Sequence, residues 1–89
     1  MDTTDIDREI RGFLVRSFLS GNAERLHADG SLLGDVIDST GVLELVSYLQ
    51  DRFAITVEDE DVVPSNLDSV NHLVAFVERK LTMSPARGH

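Results

Sequence analysis

The chain is predicted to fold as an all-α domain: a small four-helix bundle with three longer helices, one short helix and a long loop between helices 1 and 2. Three observations predict it. In three separate stretches apolar residues recur three or four positions apart, the spacing that lines one face of an α-helix. A single fragment, Ala54-Ile55-Thr56-Val57, alternates like a strand, and a lone strand has no partner for its backbone hydrogen bonds. The acidic run Glu58-Asp59-Glu60-Asp61 ahead of Pro64 suits one helical turn, its carboxylates at the positive end of the dipole and the proline blocking continuation.

The first helix carries Ile6, Ile10, Phe13, Leu14 and Phe18 as its buried stripe and ends near Ser20-Gly21. Thr3 or Thr4 is the expected cap, with Asp5, Asp7 and Glu9 near the positive end of the dipole. Gly12 costs about 1 kcal/mol relative to alanine in a helix interior, and close packing against a neighbouring helix is the expected reason for it. From Gly21 to Ile37 the period disappears among the turn signals Gly21-Asn22, Asp29-Gly30 and Gly34-Asp35. So long a connection needs anchoring, which Leu26, Leu32, Leu33 and Ile37 are expected to supply by folding inward. A short helical turn over Ala23 to His27 is an open alternative.

The second helix starts at Asp38, whose side-chain oxygen can accept from the unpaired N–H groups of the first turn. Val42, Leu43, Val46, Leu49 and Phe53 form its apolar stripe, with Thr40, Glu44, Ser47 and Asp51 on the other side. Residues 54–57 then make an extended connection that buries Ile55 and Val57. The last helix, capped by Asp68 or Asn66, has the stripe Val70, Leu73, Val74, Val77 and Leu81, with Arg79 and Lys80 near its negative end. Residues 1–82 make up the domain and residues 83–89 a flexible tail.

Sixteen acidic against eight basic residues give a formal net charge of −8. Such a surface repels nucleic acid and anionic membranes and attracts a basic partner protein. The absence of cysteine excludes disulfides, thiolate metal sites and a cysteine nucleophile, so any thiol chemistry must come with a prosthetic group. With no leader pattern and no apolar run of spanning length, a cytoplasmic location is expected. The acidic run lacks the alternating order of an EF-hand loop and reads as a solvated face.

Ser39, at the mouth of the second helix, is the candidate functional residue. A serine nucleophile needs a base within reach and a strained turn, but there is no Gly-x-Ser-x-Gly, and His27, His72 and His89 lie in segments with no reason to converge on it. A hydroxyl modified with a phosphate-containing group fits better, because free N–H groups and the dipole favour phosphate at a helix start. A small hydrolase, and an unmodified interaction bundle in which Ser39 only begins a helix, are the rival readings.

Asp38-Ser39 opening the helix Val42-Leu43-Glu44-Leu45-Val46, followed by Phe53, Ile55, Val57, the acidic run and Asp68-Ser69-Val70, resembles the acyl carrier protein family. The resemblance is closest from Leu32 to Leu81, and Asp5 to Leu19 suits the family's first helix. It implies a bundle of acyl-carrier-protein type that is a carrier and no enzyme. It also implies that Ser39 takes a covalent 4′-phosphopantetheine arm from coenzyme A through a phosphopantetheinyl transferase. Acyl- or amino-acid-activating ligases or acyltransferases would load the arm, and synthases or condensing enzymes would receive the cargo from a monomeric carrier. By the same resemblance Asp38, Glu44 and Asp51 face basic partners; Val62, just past the acidic turn, is a candidate for partner contact at the lip of a pocket that would shield an acyl chain. Leu43 and Leu45 read first as core leucines, with exposure for docking as the alternative. Thr40 replaces the motif's leucine, Val36 stands where a glycine is common, Ser47 and Gln50 are uncharged, and the acidic turn is slightly long. These departures point to a free-standing carrier of a specialised pathway, with a housekeeping fatty-acid carrier as the alternative.

Overall fold

A computed structural model describes residues 2–22, 24, 26, 30–34 and 36–83, with the backbone alone at Met83. Its helices are α1 (Thr3–Phe18), α2 (Ser39–Phe53), α3 (Pro64–Leu67) and α4 (Val70–Met83), with a 3-10 turn at Asp59–Asp61. No described segment forms a strand, although Leu33 and Ile37 make one isolated parallel bridge. All three other helices pack against α4. Val70, Leu73, Phe76 and Val77 of α4 are buried in one core with Ile6, Ile10 and Leu14 of α1, Leu45 and Leu49 of α2, and Leu67 of α3. Each such side chain contributes about 1.5–3 kcal/mol on leaving water, which offsets the weakness of short helices standing alone.

The start of α1 differs from expectation. Asp2 precedes the helix without a side-chain cap, while Thr3 and Thr4 are already helical. The hydroxyl of Thr3 donates instead to Glu78 of α4, and the Asp2 carbonyl accepts from Ile6 N–H at 3.0 Å. At the other end Ser20 and Gly21 turn left-handed (φ 52° and 85°), and Gly21 N–H reaches the Val15 carbonyl at 3.0 Å. That bond folds the chain back over the last turn of α1 and, with the left-handed pair, stops the helix. The ring of Tyr48 on α2 stacks on Phe13, centroids 4.0 Å apart, and its hydroxyl donates to the Glu9 carbonyl at 2.9 Å. Arg52 grips both carboxylate oxygens of Glu9, at 3.0 and 2.9 Å, and this hydrogen bonding holds Glu9 below its ordinary pKa. Gly12 is not explained by helix packing: the nearest atom a Cβ would meet is Arg16 Nη1 of the same helix, at 3.0 Å.

The long loop is anchored as expected, with Leu26, Leu32 and Ile37 buried and Leu33 half-buried. Ala23, Arg25 and His27, and with them most of the open 23–27 turn, lie outside the described residues, as do Asp29, Asp35 and residues 84–89. Asp68 supplies the loop's polar anchor. One of its carboxylate oxygens accepts from Ser31 Oγ at 2.9 Å and from the N–H groups of Leu33 and Leu32 at 2.9 and 3.2 Å. These bonds hold its carboxyl below the usual range. With that oxygen committed to the loop, Asp68 does not cap α4. The buried hydroxyl of Ser69 accepts from His72 N–H at 3.1 Å and takes the role. Asn66 does not cap either, since its amide donates to the Asp61 carbonyl at 2.8 Å and its oxygen accepts from Arg79 at 2.7 Å.

The acidic run forms its turn as a 3-10 helix with a capping box between Glu58 and Asp61. Pro64 then opens the separate helix α3, standing where its missing N–H leaves no intrahelical bond unmade. Ile55 is buried and Val57 half-buried in the connection, and Val57 N–H donates to Gln50 Oε1 at 2.9 Å.

Candidate functional site

Ser39 is the first residue of α2 and is exposed. Its position follows from contacts below and behind it. Asp38 has extended backbone (φ −92°, ψ −175°) and its Oδ1 accepts from Gly41 N–H at 2.7 Å, as the cap read from the sequence should. Gly41 is buried, and a Cβ there would lie 2.7 Å from Phe18 Cε1 and 3.1 Å from Ile37 Cγ2. The glycine therefore lets the first turn of α2 seat against the end of α1. Ile37 is held in turn by Leu32, whose carbonyl accepts from Ile37 N–H at 2.9 Å, and Leu32 N–H donates to the Asp68 carbonyl at 2.7 Å. Ser39 thus stands at the end of a chain of contacts running from the α3–α4 junction through the loop.

The chemistry open to this serine is set by its neighbours. Among the described residues neither its hydroxyl nor the N–H groups of Ser39 and Thr40 have hydrogen-bond partners. His72, the one histidine described, places Nδ1 2.8 Å from Ser69 Oγ, so it is engaged elsewhere. Among the described residues no base or oxyanion hole gathers at Ser39, whereas two helix N–H groups without a described partner, beside an exposed hydroxyl, suit a phosphodiester. No group of metal-ligating residues occurs among the described residues.

Thr40, Leu43, Glu44, Ser47 and Asp51 are exposed on α2 and share the side that follows Ser39. Leu43 corrects the core reading, with 72 % of its surface exposed, while Leu45 is fully buried as expected. Val62, 39 % exposed, and its neighbour Val63, which the sequence did not single out, lie on another element, the connection after the acidic turn. Of the four acids of that turn, Glu58, Asp59 and Glu60 are exposed. Asp61 faces inward to Lys80 Nζ at 2.7 Å, and its carboxyl is lowered by that contact and by the N–H of Glu58. Sequence reasoning passed over Gly41 and gave Asp68 and Lys80 only local roles, as a helix cap and as a cation near the end of the last helix. A glycine at the third position of a helix was the one available signal, the same oddity noted at Gly12.

No family model matches the chain. It is 39 % identical over 68 residues to an acyl carrier protein of Exiguobacterium sp., an alignment covering 75 % of this chain and 84 % of the relative. The chain belongs to the acyl carrier protein family. An acyl carrier protein of Akkermansia muciniphila is 30 % identical over 80 residues, covering 89 % of this chain and 96 % of the relative. The "Probable acyl carrier protein PigG" of a Serratia species is 24 % identical over 84 residues, 93 % of this chain and 95 % of that one. Acyl carrier proteins are carriers and not enzymes. Among the described residues no helix of this acyl carrier protein is long and apolar enough to cross a membrane.

Proposed function

We propose that Ser39 bears a 4′-phosphopantetheine arm and that this carrier serves a specialised pathway in the cytoplasm with acyl or aminoacyl cargo. The observation that carries the proposal is the exposed Ser39 hydroxyl at the start of α2, beside N–H groups of Ser39 and Thr40 that have no partner among the described residues. The chemistry such an arm supplies is a thiol for thioester formation, which the cysteine-free chain lacks. The residues around it present and hold. Asp38 caps the first turn, Gly41 seats that turn on Phe18, and the unpaired N–H groups offer donors to phosphate oxygens. Asp38, Glu44 and Asp51 attract the basic surfaces of a phosphopantetheinyl transferase, of loading ligases or acyltransferases, and of synthases. Leu43 on α2 and Val62 after the acidic turn, both exposed, supply the apolar contacts. A small, charged, exposed surface favours fast encounter and fast release, which a carrier visiting several enzymes needs.

The assignment to a specialised pathway rests on Thr40 and Ser47, both exposed on the same side of α2. They place small hydroxyl side chains where fatty-acid carriers are more apolar or acidic. Gln50 adds nothing to that argument, since its side chain serves the fold by accepting from Val57 N–H. Incubation with coenzyme A and a broad-specificity transferase, followed by intact-mass measurement, is expected to add one phosphopantetheine to the wild type and none to Ser39→Ala. No added mass, or addition at another hydroxyl, refutes the attachment site. Loading with matched acyl-CoA donors and amino-acid-activating ligases then tests the pathway. Efficient turnover by fatty-acid elongation enzymes with no preference elsewhere assigns the carrier to housekeeping synthesis instead.

A further inference from the structure

α1 turns a second surface to solvent, on the side opposite its core stripe. Arg8, Arg11, Gly12, Val15 and Arg16 fall on one side of the helix by its 3.6-residue repeat and, with Asp7, line a groove of about 550 Å³. Three of the eight cations of an otherwise acidic chain stand here, two of them with Asp7 and Asp5 as ion-pair partners. Arg11 Nε is 2.5 Å from Asp7, and Arg8, its side chain 73 % exposed, is a loose 3.6 Å from Asp5. Arg16 makes no ion pair with any described residue. Gly12 weakens the helix interior, and no neighbouring helix comes close enough to require it. Its missing Cβ leaves the space beside which the Arg16 guanidinium lies, next to the apolar Val15.

We propose that this groove binds an acidic segment of a protein partner, its carboxylates on Arg8 and Arg16 and an apolar side chain against Val15. Charge complementarity selects the occupant. An open basic face with Val15 among its arginines matches a short carboxylate-bearing segment, which touches only this patch, whereas an extended anionic membrane would also meet Asp5 and the net charge of −8. A second copy of the chain carries that same net charge and is repelled as a whole. Binding here leaves the exposed side of α2 uncovered and does not depend on modification of Ser39.

The test uses the full unmodified chain, labelled with nitrogen-15 and titrated with an acetylated, amidated pentapeptide of sequence Glu-Asp-Leu-Glu-Glu. Amide shifts are expected to concentrate at residues 4–16. Affinity is expected to fall at least about fivefold in Arg8→Gln/Arg16→Gln, and to fall in the wild type as sodium chloride rises from about 50 to about 500 mM. Replacing the peptide's leucine by serine should also weaken binding. Gly12→Ala separates binding from stability: it is expected to melt no lower than the wild type and yet bind more weakly, because its Cβ displaces the Arg16 guanidinium. Absence of shifts over residues 4–16 at millimolar peptide, or equal affinity in the arginine variants, overturns the proposal. It is also overturned if the wild type binds phosphatidylglycerol vesicles in place of the peptide, or if the arginine pair governs self-association of the chain.

Discussion

Leu43 and Leu45 stand two positions apart on α2 and face nearly opposite ways, so the core takes one and solvent the other. Leu45→Ala is expected to lower unfolding free energy by about 2–5 kcal/mol, the range for emptying a packed leucine site. Leu43→Ala should stay within about 0.5 kcal/mol of the wild type. Urea unfolding of both variants checks the contrast, and comparable losses would place Leu43 in the core. Glycines divide in the same way. At Gly41 an added methyl meets Phe18 Cε1 at 2.7 Å and Ile37 Cγ2 at 3.1 Å, so Gly41→Ala is expected to cost about 1–3 kcal/mol despite alanine's helix propensity. Thermal melts should show a lowered midpoint. Both glycines look alike as letters in a helix, because what distinguishes them is the neighbour across the bundle.

At the scale of elements, the decisive joint is Asp68, between α3 and α4. Sequence reasoning assigned its carboxylate to a helix cap, a local role, whereas it binds a loop more than thirty residues earlier in the chain. The bonds from Leu33, Ser31 and Leu32 depress its pKa in the folded state. A depressed folded value means that the unfolded chain binds protons first as pH falls. The contribution is therefore fully present above the unfolded carboxylate value near 4 and is lost as pH drops through the lower folded one. Asp61, lowered by Lys80, acts in the same direction. Unfolding midpoints in urea from pH 7 down to about 2.5 are expected to fall mainly below about pH 4.5. Asp68→Asn should start from a lower midpoint at pH 7 and show a shallower fall. An unchanged profile would mean that Asp68 does not anchor the loop.

For the molecule as a whole, net charge and core pull in opposite directions. Sixteen acids against eight bases repel one another in the folded state, while α4 gathers the other three helices into one apolar core. Adding salt up to about 0.15 M is expected to raise the melting temperature by screening that repulsion. The four described ion pairs, Asp5–Arg8, Asp7–Arg11, Glu9–Arg52 and Asp61–Lys80, are partly or largely exposed and too few to reverse the sign. A melting temperature that falls with salt would show that such pairs outweigh the net charge.

The number and type of the long helices, the inward leucines of the loop, the Asp38 cap and the exposed Ser39 were legible in the sequence, because each depends on a period or on a neighbour within a few residues. Family membership was legible for the same reason, its motif being contiguous. Tertiary structure alone decided that Leu43 lies outside, that Gly41 is a packing contact, that Asp68 ties down the loop and that Ser69, with Asp68 so engaged, caps α4. Each of those outcomes depends on which distant segment arrives at a given face, and helical periodicity carries no information about the partner across the core.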